Sequence, residues 1–551
     1  MSEEQLLPLL IALPLLGGAV SLFGKLFPSR ENLSRLFATL LLAASLGVLL
    51  LFAKPAFAGE ELRYALGGWP EPFGIALVMD GFAFISVLLT LVISFLVAVH
   101  SLGDKKTYGA SFFFFYMLLV SGMLGVVLTG DLFTMFVAFE IVAIAAYVLI
   151  AWEKTPTGLM ASFKYLMLSS TGILFFLFGI FLIYRDLGTL SIAGIGAAVD
   201  ASRQLRDAPA VHLALASLCV GIGVRTAFIP FHTWLPEAHA YAPHPVSALL
   251  SGVLIKISFF AMVRILLQFS GEYLYPLLLW IGAVTAFSAV ISALAQSDAK
   301  RLLAFHSISQ MGYILAVFGA GSSIALTASF AHALNHALFK SLLFLTVGIA
   351  VKQTGERNLY RMRPLGRELP LVAAAFFVGA LSISGMPPFN GYASKALITA
   401  GMKGSPAYIL LMLTSFATVA SFIKLGRIFL PGPAKGESVS GPRAAAVLPL
   451  LALAILCLTA GIFGTPMAGM LHRLLYREAL PLSLLSIRLF DPAKLTTVLP
   501  VLLIGIPLYF LIVTKTGKRL AGRVKSMAPD LNMVLSFFFA GLLLFAAAAW
   551  F

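Results

Sequence analysis

Apolar runs near or above the roughly 18–20 residues that cross a bilayer recur along this whole chain. They lie near 5–24, 33–53, 76–99, 110–129, 132–152, 160–184, 211–229, 246–267, 274–295, 302–320, 323–351, 369–400, 406–430, 445–466, 496–514 and 531–551. Lipid tolerates only structures that satisfy their own backbone, and runs of this length do so as helices. The predicted class is an all-α polytopic membrane protein of sixteen spans. Only 11% of the 551 residues are charged, against about 25% in soluble domains. The start, Met1-Ser2-Glu3-Glu4, lacks the basic segment of a cleaved signal peptide, so the first run is expected to be retained.

The net charge of +15 does not point to nucleic acid, because the basic residues are scattered through short loops, where they set topology. With the N-terminus outside, the inner connections hold Lys25, Arg30, Lys105, Lys106, Lys154, Lys300, Arg301, Lys352, Arg357, Arg361, Arg363 and Arg367, then Lys515, Lys518, Arg519, Arg523 and Lys525. The outer set is smaller: Lys54, Arg63, Arg185, Arg203, Arg206, Arg473, Arg477, Arg488 and Lys494. This bias places the chain in a prokaryotic-type cell membrane with both termini on the outer side. Cys219 and Cys457 both sit in apolar runs, and no disulfide framework, metal site or iron–sulfur cluster can be built from them. No cofactor is expected. There is no phosphate loop and no nucleophilic triad, so no catalytic residue is assigned.

Two spans are interrupted. One reads RTAFIPFHTWLPEAHAYAPHPVS from Arg225, the other SISGMPPFNGYASK from Ser382. Proline removes a donor and clashes with the preceding turn, so a helix breaks at each. Paired interruptions in two halves point to inverted repeats with ion sites at the breaks. The expected organisation is N-terminal helices over 1–109, a first five-helix repeat over 110–267, a second over 274–430 and C-terminal helices over 431–551. An odd number of spans per repeat inverts the second copy.

Eight ionisable side chains lie inside the apolar runs: Glu140, Arg225, Lys256, His332, His336, Lys340, Lys395 and, nearer an end, Asp80. Each charge at the bilayer centre costs about 2.5–3.5 kcal/mol even on a lenient scale. Together they suggest a path for protons or small cations. Glu140 is mid-span with Arg225 as its partner; the bland reading is a structural ion pair. Lys256 is too deep to snorkel and reads as a relay. His332, His336 and Lys340 are spaced by four, on one slowly drifting helical stripe. Imidazole suits proton transfer, structural hydrogen bonding is the competitor, and a metal or haem site lacks further ligands nearby. Lys395 follows the second break, as an exit or as a snorkelling lysine. Asp131, Lys164, His232, Glu237, His239, His244, Asp298, Lys300 and His306 lie near span ends, feeding the path or closing loops.

These residues carry a resemblance. LTGDLFTMFVAFE, KYLMLSSTG, VRTAFIPFHTWLPEAHAYAPHPVSALLSGVLIK, DAKRLLAFHSISQMGYI, HALNHALFKSLLFL and SISGMPPFNGYASK, over about 100–430, are similar to the antiporter-like subunits of respiratory complex I, Mrp-type sodium/proton antiporters and membrane-bound energy-converting hydrogenases. LGGWPEPFGI leans toward the Mrp and hydrogenase branch. The resemblance implies fourteen core helices with two inverted five-helix repeats. It implies Glu140 as the paired carboxylate, Lys256 as the central relay, His332 and His336 in the second half-channel and Lys395 as its terminal group. The family usually has lysine where this chain has Arg225, which fits electrostatic gating rather than proton loading. The spans after about 467 exceed the core and suggest a docking element.

The expected function is a proton-translocating, antiporter-like subunit of a redox-driven multisubunit complex, NADH dehydrogenase-like or hydrogenase-like. Its expected partners are other membrane subunits, including related antiporter-like ones, with protons and possibly sodium as cargo. The alternatives are a subunit of an Mrp-type sodium/proton antiporter without redox input, a quinone- or haem-binding electron-transfer protein, and a lone solute permease.

Overall fold

A computed structural model describes residues 3–69, 71, 74–269, 271–432, 441–476, 498–526, 529 and 531–548. Within them the chain is a bundle of α-helices with one two-stranded hairpin, Leu62–Ala65 against Ala76–Met79. Short helices aside, the order is α1 (Leu7–Gly24), α2 (Glu31–Leu51), α3 (Gly81–Leu102), α4 (Ala110–Leu128), α5 (Leu132–Ile150), α6 (Pro156–Leu187), α7 (Pro209–Thr226), α8 (Leu235–Tyr241), α9 (His244–Leu249) and α10 (Ile255–Gln268). Then come α11 (Tyr275–Ala295), α12 (Ala299–Phe318), α13 (Ser323–Thr354), α14 (Pro370–Ser384), α15 (Asn390–Gly401), α16 (Tyr408–Gly426), α17 (Ala444–Ile462) and α18 (Gly464–Tyr476). The C-terminal part holds α19 (Val498–Val513), α20 (Lys515–Ser526) and α21 (Leu531–Ala547).

Among the described residues helices lie in each of the sixteen expected runs, but only twelve are long and apolar enough to cross a membrane as single elements, or thirteen with one bent pair. The others fall short for identifiable reasons. Polar residues dilute α12, a break divides α14 from α15, and α21 is short. Helix α19 bends by 86° into α20, a basic helix that packs along α11. The outer-loop residues Arg477, Arg488 and Lys494 lie outside the described residues.

Both expected interruptions are present. α7 ends at Ala227 with φ 60°, and α14 ends at Gly385 with φ 76°, so each leaves its helix through the left-handed region. A non-glycine residue there costs roughly 1–2 kcal/mol, which the buried surroundings of Ala227 impose. Ile229–Pro230 and Pro387–Pro388 in the breaks are cis.

A second correspondence is local. α6 and α13 are both 32 residues long and end at left-handed glycines, Gly188 and Gly355. Just beyond each, the chain bridges back to the cap of the preceding pair. Leu132 donates to Leu190 and Ile192 to Gly130; Ala299 donates to Arg357 and Leu359 to Ser297. Asp131 and Asp298, the residues at these bridges, each cap a helix N-terminus through their carboxylates, on Thr134 N at 2.7 Å and Arg301 N at 2.9 Å.

Small residues let the helices touch. An added Cβ at Gly282 on α11 would overlap the Ala316 backbone on α12, and one at Gly312 would overlap the Ala286 backbone in return. Such close approach supplies packing where lipid offers no hydrophobic drive.

Candidate functional site

Helix α13 is the spine of the site. Its polar stripe runs His332, His336, Lys340 and then, beyond Phe344, continues at Gly348 and Lys352, each four residues on. At about 1.5 Å per residue this stripe is roughly 30 Å long, the thickness of a bilayer core. His332, His336 and Lys340 are fully buried.

Lys256, also fully buried, is held by a helical irregularity. Residues Leu250–Leu254, between α9 and α10, wind as a π-helix. Such segments release carbonyls from the regular ladder, and here the Ser251 carbonyl accepts from Lys256 Nζ. The Ser251 hydroxyl meets Ser307 Oγ at 2.7 Å, and Ser307 Oγ donates to the Leu303 carbonyl at 3.1 Å. Lys340 Nζ donates to the same carbonyl at 2.7 Å. Polar contacts therefore link Lys256 to Lys340 across α12, passing from the carbonyl to the hydroxyl of Ser251 and on through Ser307 and the Leu303 carbonyl. Glycine permits the approach, because a Cβ at Gly252 would overlap Ser341 Oγ on α13.

Beyond Lys340 the His336 and His332 rings lie parallel, 6.4 Å apart. His332 is fixed on both sides, Nδ1 against Ser394 Oγ at 2.9 Å and Nε2 against Gln310 Oε1 at 3.0 Å. Ser394 precedes Lys395, whose Nζ donates to the Ile383 carbonyl at 3.0 Å, across the break, and lies over the Tyr313 ring at 5.6 Å. Lys395 borders a cavity of about 380 Å³. Its carbonyl contact assigns it to the break itself, which plain snorkelling would not do.

At the other end of α13 a cavity of about 250 Å³ is lined by Tyr108, Glu153, His244, Lys300, Lys352 and Arg357. His244 Nε2 is 3.1 Å from His100 Nε2, and a Cβ at Gly348 would overlap the His244 side chain. Lys300 donates to the Ala242 carbonyl and Lys352 pairs with Asp104. Buried His306 and His336 have no hydrogen-bond partner on either ring nitrogen among the described residues.

Glu140 and Arg225 pair at 3.1 Å, with the guanidinium also over the Phe139 ring at 4.9 Å. The pair is lopsided. Arg225 is 2% exposed and Glu140 37%, so the carboxylate sits on the outer surface of the bundle and not in its interior.

Other residues resolve into local roles. Asp80, near the end of its run, caps α3 through Ala83 N at 2.7 Å and pairs with Arg264 at 2.8 Å. His306, also near a span end, is fully buried in α12. Lys164 and Arg301 both pair with Glu237, at 2.8 and 3.7 Å. Sequence reasoning missed His100, Ser251, Ser307, Gln310 and Lys424. Lys424 closes the end of α11 by donating to Leu294 and Gln296 carbonyls at 2.7 and 2.6 Å. Among the described residues no three His, Cys, Asp or Glu side chains converge as a metal site.

The family described as NADH:quinone oxidoreductase/Mrp antiporter, transmembrane, matches residues 129–421, more than half of the chain. The chain belongs to this family. The matched stretch of the NADH:quinone oxidoreductase/Mrp antiporter family contains Glu140, Arg225, Lys256, the α13 stripe and Lys395, and it stops short of α17 and the C-terminal helices. Among its members, NADH-quinone oxidoreductase subunit N of Desulforudis audaxviator is 33% identical over 74% of this chain and 83% of its own length. A Na(+)/H(+) antiporter subunit of Alkalihalophilus pseudofirmus is 29% identical over 78% and 87%. In solved structures, a chain of the Mrp complex from Dietzia sp. superposes with a TM-score of 0.79 at 25% identity, over 91% of this chain and all of that one. A chain of the membrane-bound sulfane sulfur reductase, an archaeal respiratory membrane complex, superposes with a TM-score of 0.78 at 28% identity, over 90% and 99%.

Proposed function

We propose that this chain is a proton-translocating, antiporter-like subunit of a redox-driven multisubunit membrane complex. The observation that carries the reading is the contact series from Lys256 through Ser251, Ser307 and Leu303 to Lys340, continued along α13 by His336 and His332. Buried imidazoles without protein partners are the kind of group that ordered water satisfies. Water at His306 and His336 would add exchangeable protons along α12 and α13, between the His244 and Lys395 cavities. The proton enters near His244 and Lys300, rests on Lys256, passes by Lys340, His336 and His332, and leaves at Lys395.

Glu140 and Arg225 act on this line electrostatically. A guanidinium stays protonated, so Arg225 does not carry the proton. A charge pair at about 4 Å is worth about 4 kcal/mol at an effective dielectric of 20. Moving its carboxylate leaves the buried guanidinium unmatched, and that change in charge is the signal the pair gives to the line.

The same reading sets the organisation. Residues 110–267 and 274–430 form two inverted repeats, supported by the paired 32-residue helices, the paired bridges and the paired breaks. Residues 1–109 and 431–551 flank them. The basic bias of the odd-to-even connections supports both termini on the outer side of the cell membrane. The partners are other membrane subunits of the complex, sister antiporter-like subunits among them.

A second reading, an Mrp-type sodium/proton antiporter subunit, is favoured by the relatives named as Na(+)/H(+) antiporter subunits and by the fit to the Mrp complex chain. The complex reconstituted in liposomes separates the two. Proton uptake driven by an electron donor, abolished in Lys256→Met, supports the first. Sodium-dependent proton exchange without any electron donor supports the second and overturns the first.

A further inference from the structure

The cavity at Lys395 has a wall that the family match does not include. Three of its lining residues, Val498, Pro500 and Val501, come from α19, in the C-terminal extension. The rest come from α12 (Tyr313), from the second break and α15, and from α16. α19 is seated on α16 through Gly505, where a Cβ would come 2.8 Å from Val419 Cβ and 3.0 Å from the Phe416 carbonyl oxygen. α19 faces Met412 and Phe416 of α16 across this cavity's lining, so its residues supply part of the wall beside Lys395.

Polar atoms of α12, α15 and α16 line this cavity. Lys395 Nζ has one hydrogen-bond acceptor among the described residues, the Ile383 carbonyl, yet an ammonium carries three donors. Tyr313 Oη meets Ser415 Oγ at 2.9 Å, and Thr399 Oγ1 meets Tyr408 Oη at 2.8 Å near the mouth. A volume of about 380 Å³ has room for roughly ten or more waters.

We propose that α19 makes this cavity a protein-walled aqueous vestibule for protons or small hydrated cations at Lys395, excluding lipid from the last step of the path. The inference rests on the conduction reading above, and its test separates the two. Val501 faces the vestibule, whereas Leu503, two residues on, is 63% exposed on the outside of α19.

In membranes holding the assembled complex, buried Cys219 and Cys457 are first replaced by alanine. A charged methanethiosulfonate reagent, present on both faces, is expected to modify Val501→Cys at least tenfold faster than Leu503→Cys. Equal rates, or faster reaction at Leu503→Cys, overturn the vestibule. Val501→Trp is expected to lower transport at least fivefold at unchanged complex abundance, with Val501→Ala retaining it. Full transport in Val501→Trp overturns the role of the wall. If Val501→Cys reacts fast while Lys395→Met transports normally, conduction through Lys395 fails and the wetted vestibule stands.

Discussion

Lys340 and Ser307 donate to one carbonyl oxygen, that of Leu303 on α12. Two side chains from different helices thus converge on a single backbone acceptor between Lys256 and the histidines of α13. A shared acceptor transmits a change at one donor to the other, because strengthening one bond weakens its competitor.

Ser307→Ala is expected to slow transport by about fivefold to tenfold, the loss of roughly one net hydrogen bond of about 1 kcal/mol. Lys256→Met and Lys340→Met are each expected to abolish it. Initial rates of proton uptake in proteoliposomes, normalised to assembled complex, check the ordering. Wild-type rates in Ser307→Ala would detach α12 from the path.

Arg225→Lys is expected to keep most activity and Arg225→Ala to lose at least tenfold, since only a cation opposite Glu140 is required. Equal activity of the two variants would reject electrostatic gating.

Asp80→Asn tests a structural assignment. The cap survives, because asparagine caps nearly as well as aspartate. The Arg264 pair does not, and about 1–3 kcal/mol of stability goes with it. The expected outcome is a lower melting temperature in detergent with unchanged transport per assembled complex.

Acidification should loosen the 103–109 connection. Burial raises the affinity of Asp104 for a proton, but hydrogen bonds from Lys352 and Thr107 outweigh it and hold the carboxyl below its usual range. A depressed carboxyl contributes stability above its unfolded value of about 3.9 and loses it as pH falls through the folded value. Thermal unfolding measured from pH 6 down to pH 3 should therefore show a drop that Asp104→Asn removes.

Gly312→Leu is expected to block accumulation of the folded chain, because its Cβ would overlap the Ala286 backbone where neither helix can yield. Gly188→Leu, with open space around its Cβ, is expected to accumulate at a reduced level, limited by its φ of 69° alone. Immunoblots of membrane fractions measure both.

The spans were legible because length and apolarity are direct requirements of a bilayer. The breaks were legible because Pro230 and Pro388 leave few alternatives. The stripe at His332, His336 and Lys340 was legible from spacing. Its extension was not, since Phe344 and Gly348 carry no polar signal and Gly348 matters only through the His244 ring it admits. Ser251 and Ser307 look like the many serines that bond back to their own helix. Lys424 sits in an apolar run like Lys256, and only coordinates reveal that it closes a helix end. Asp80 was legible as a residue near a span end, but its partner Arg264 lies 184 residues away and carries no local signal.

The unequal burial of Glu140 and Arg225 has a mechanical meaning. The interior guanidinium depends for its counter-ion on a carboxylate that anything docking against the bundle can reach. In the proposed complex, a neighbouring subunit that drew this oxygen toward a cation of its own would leave an unmatched charge inside the bundle.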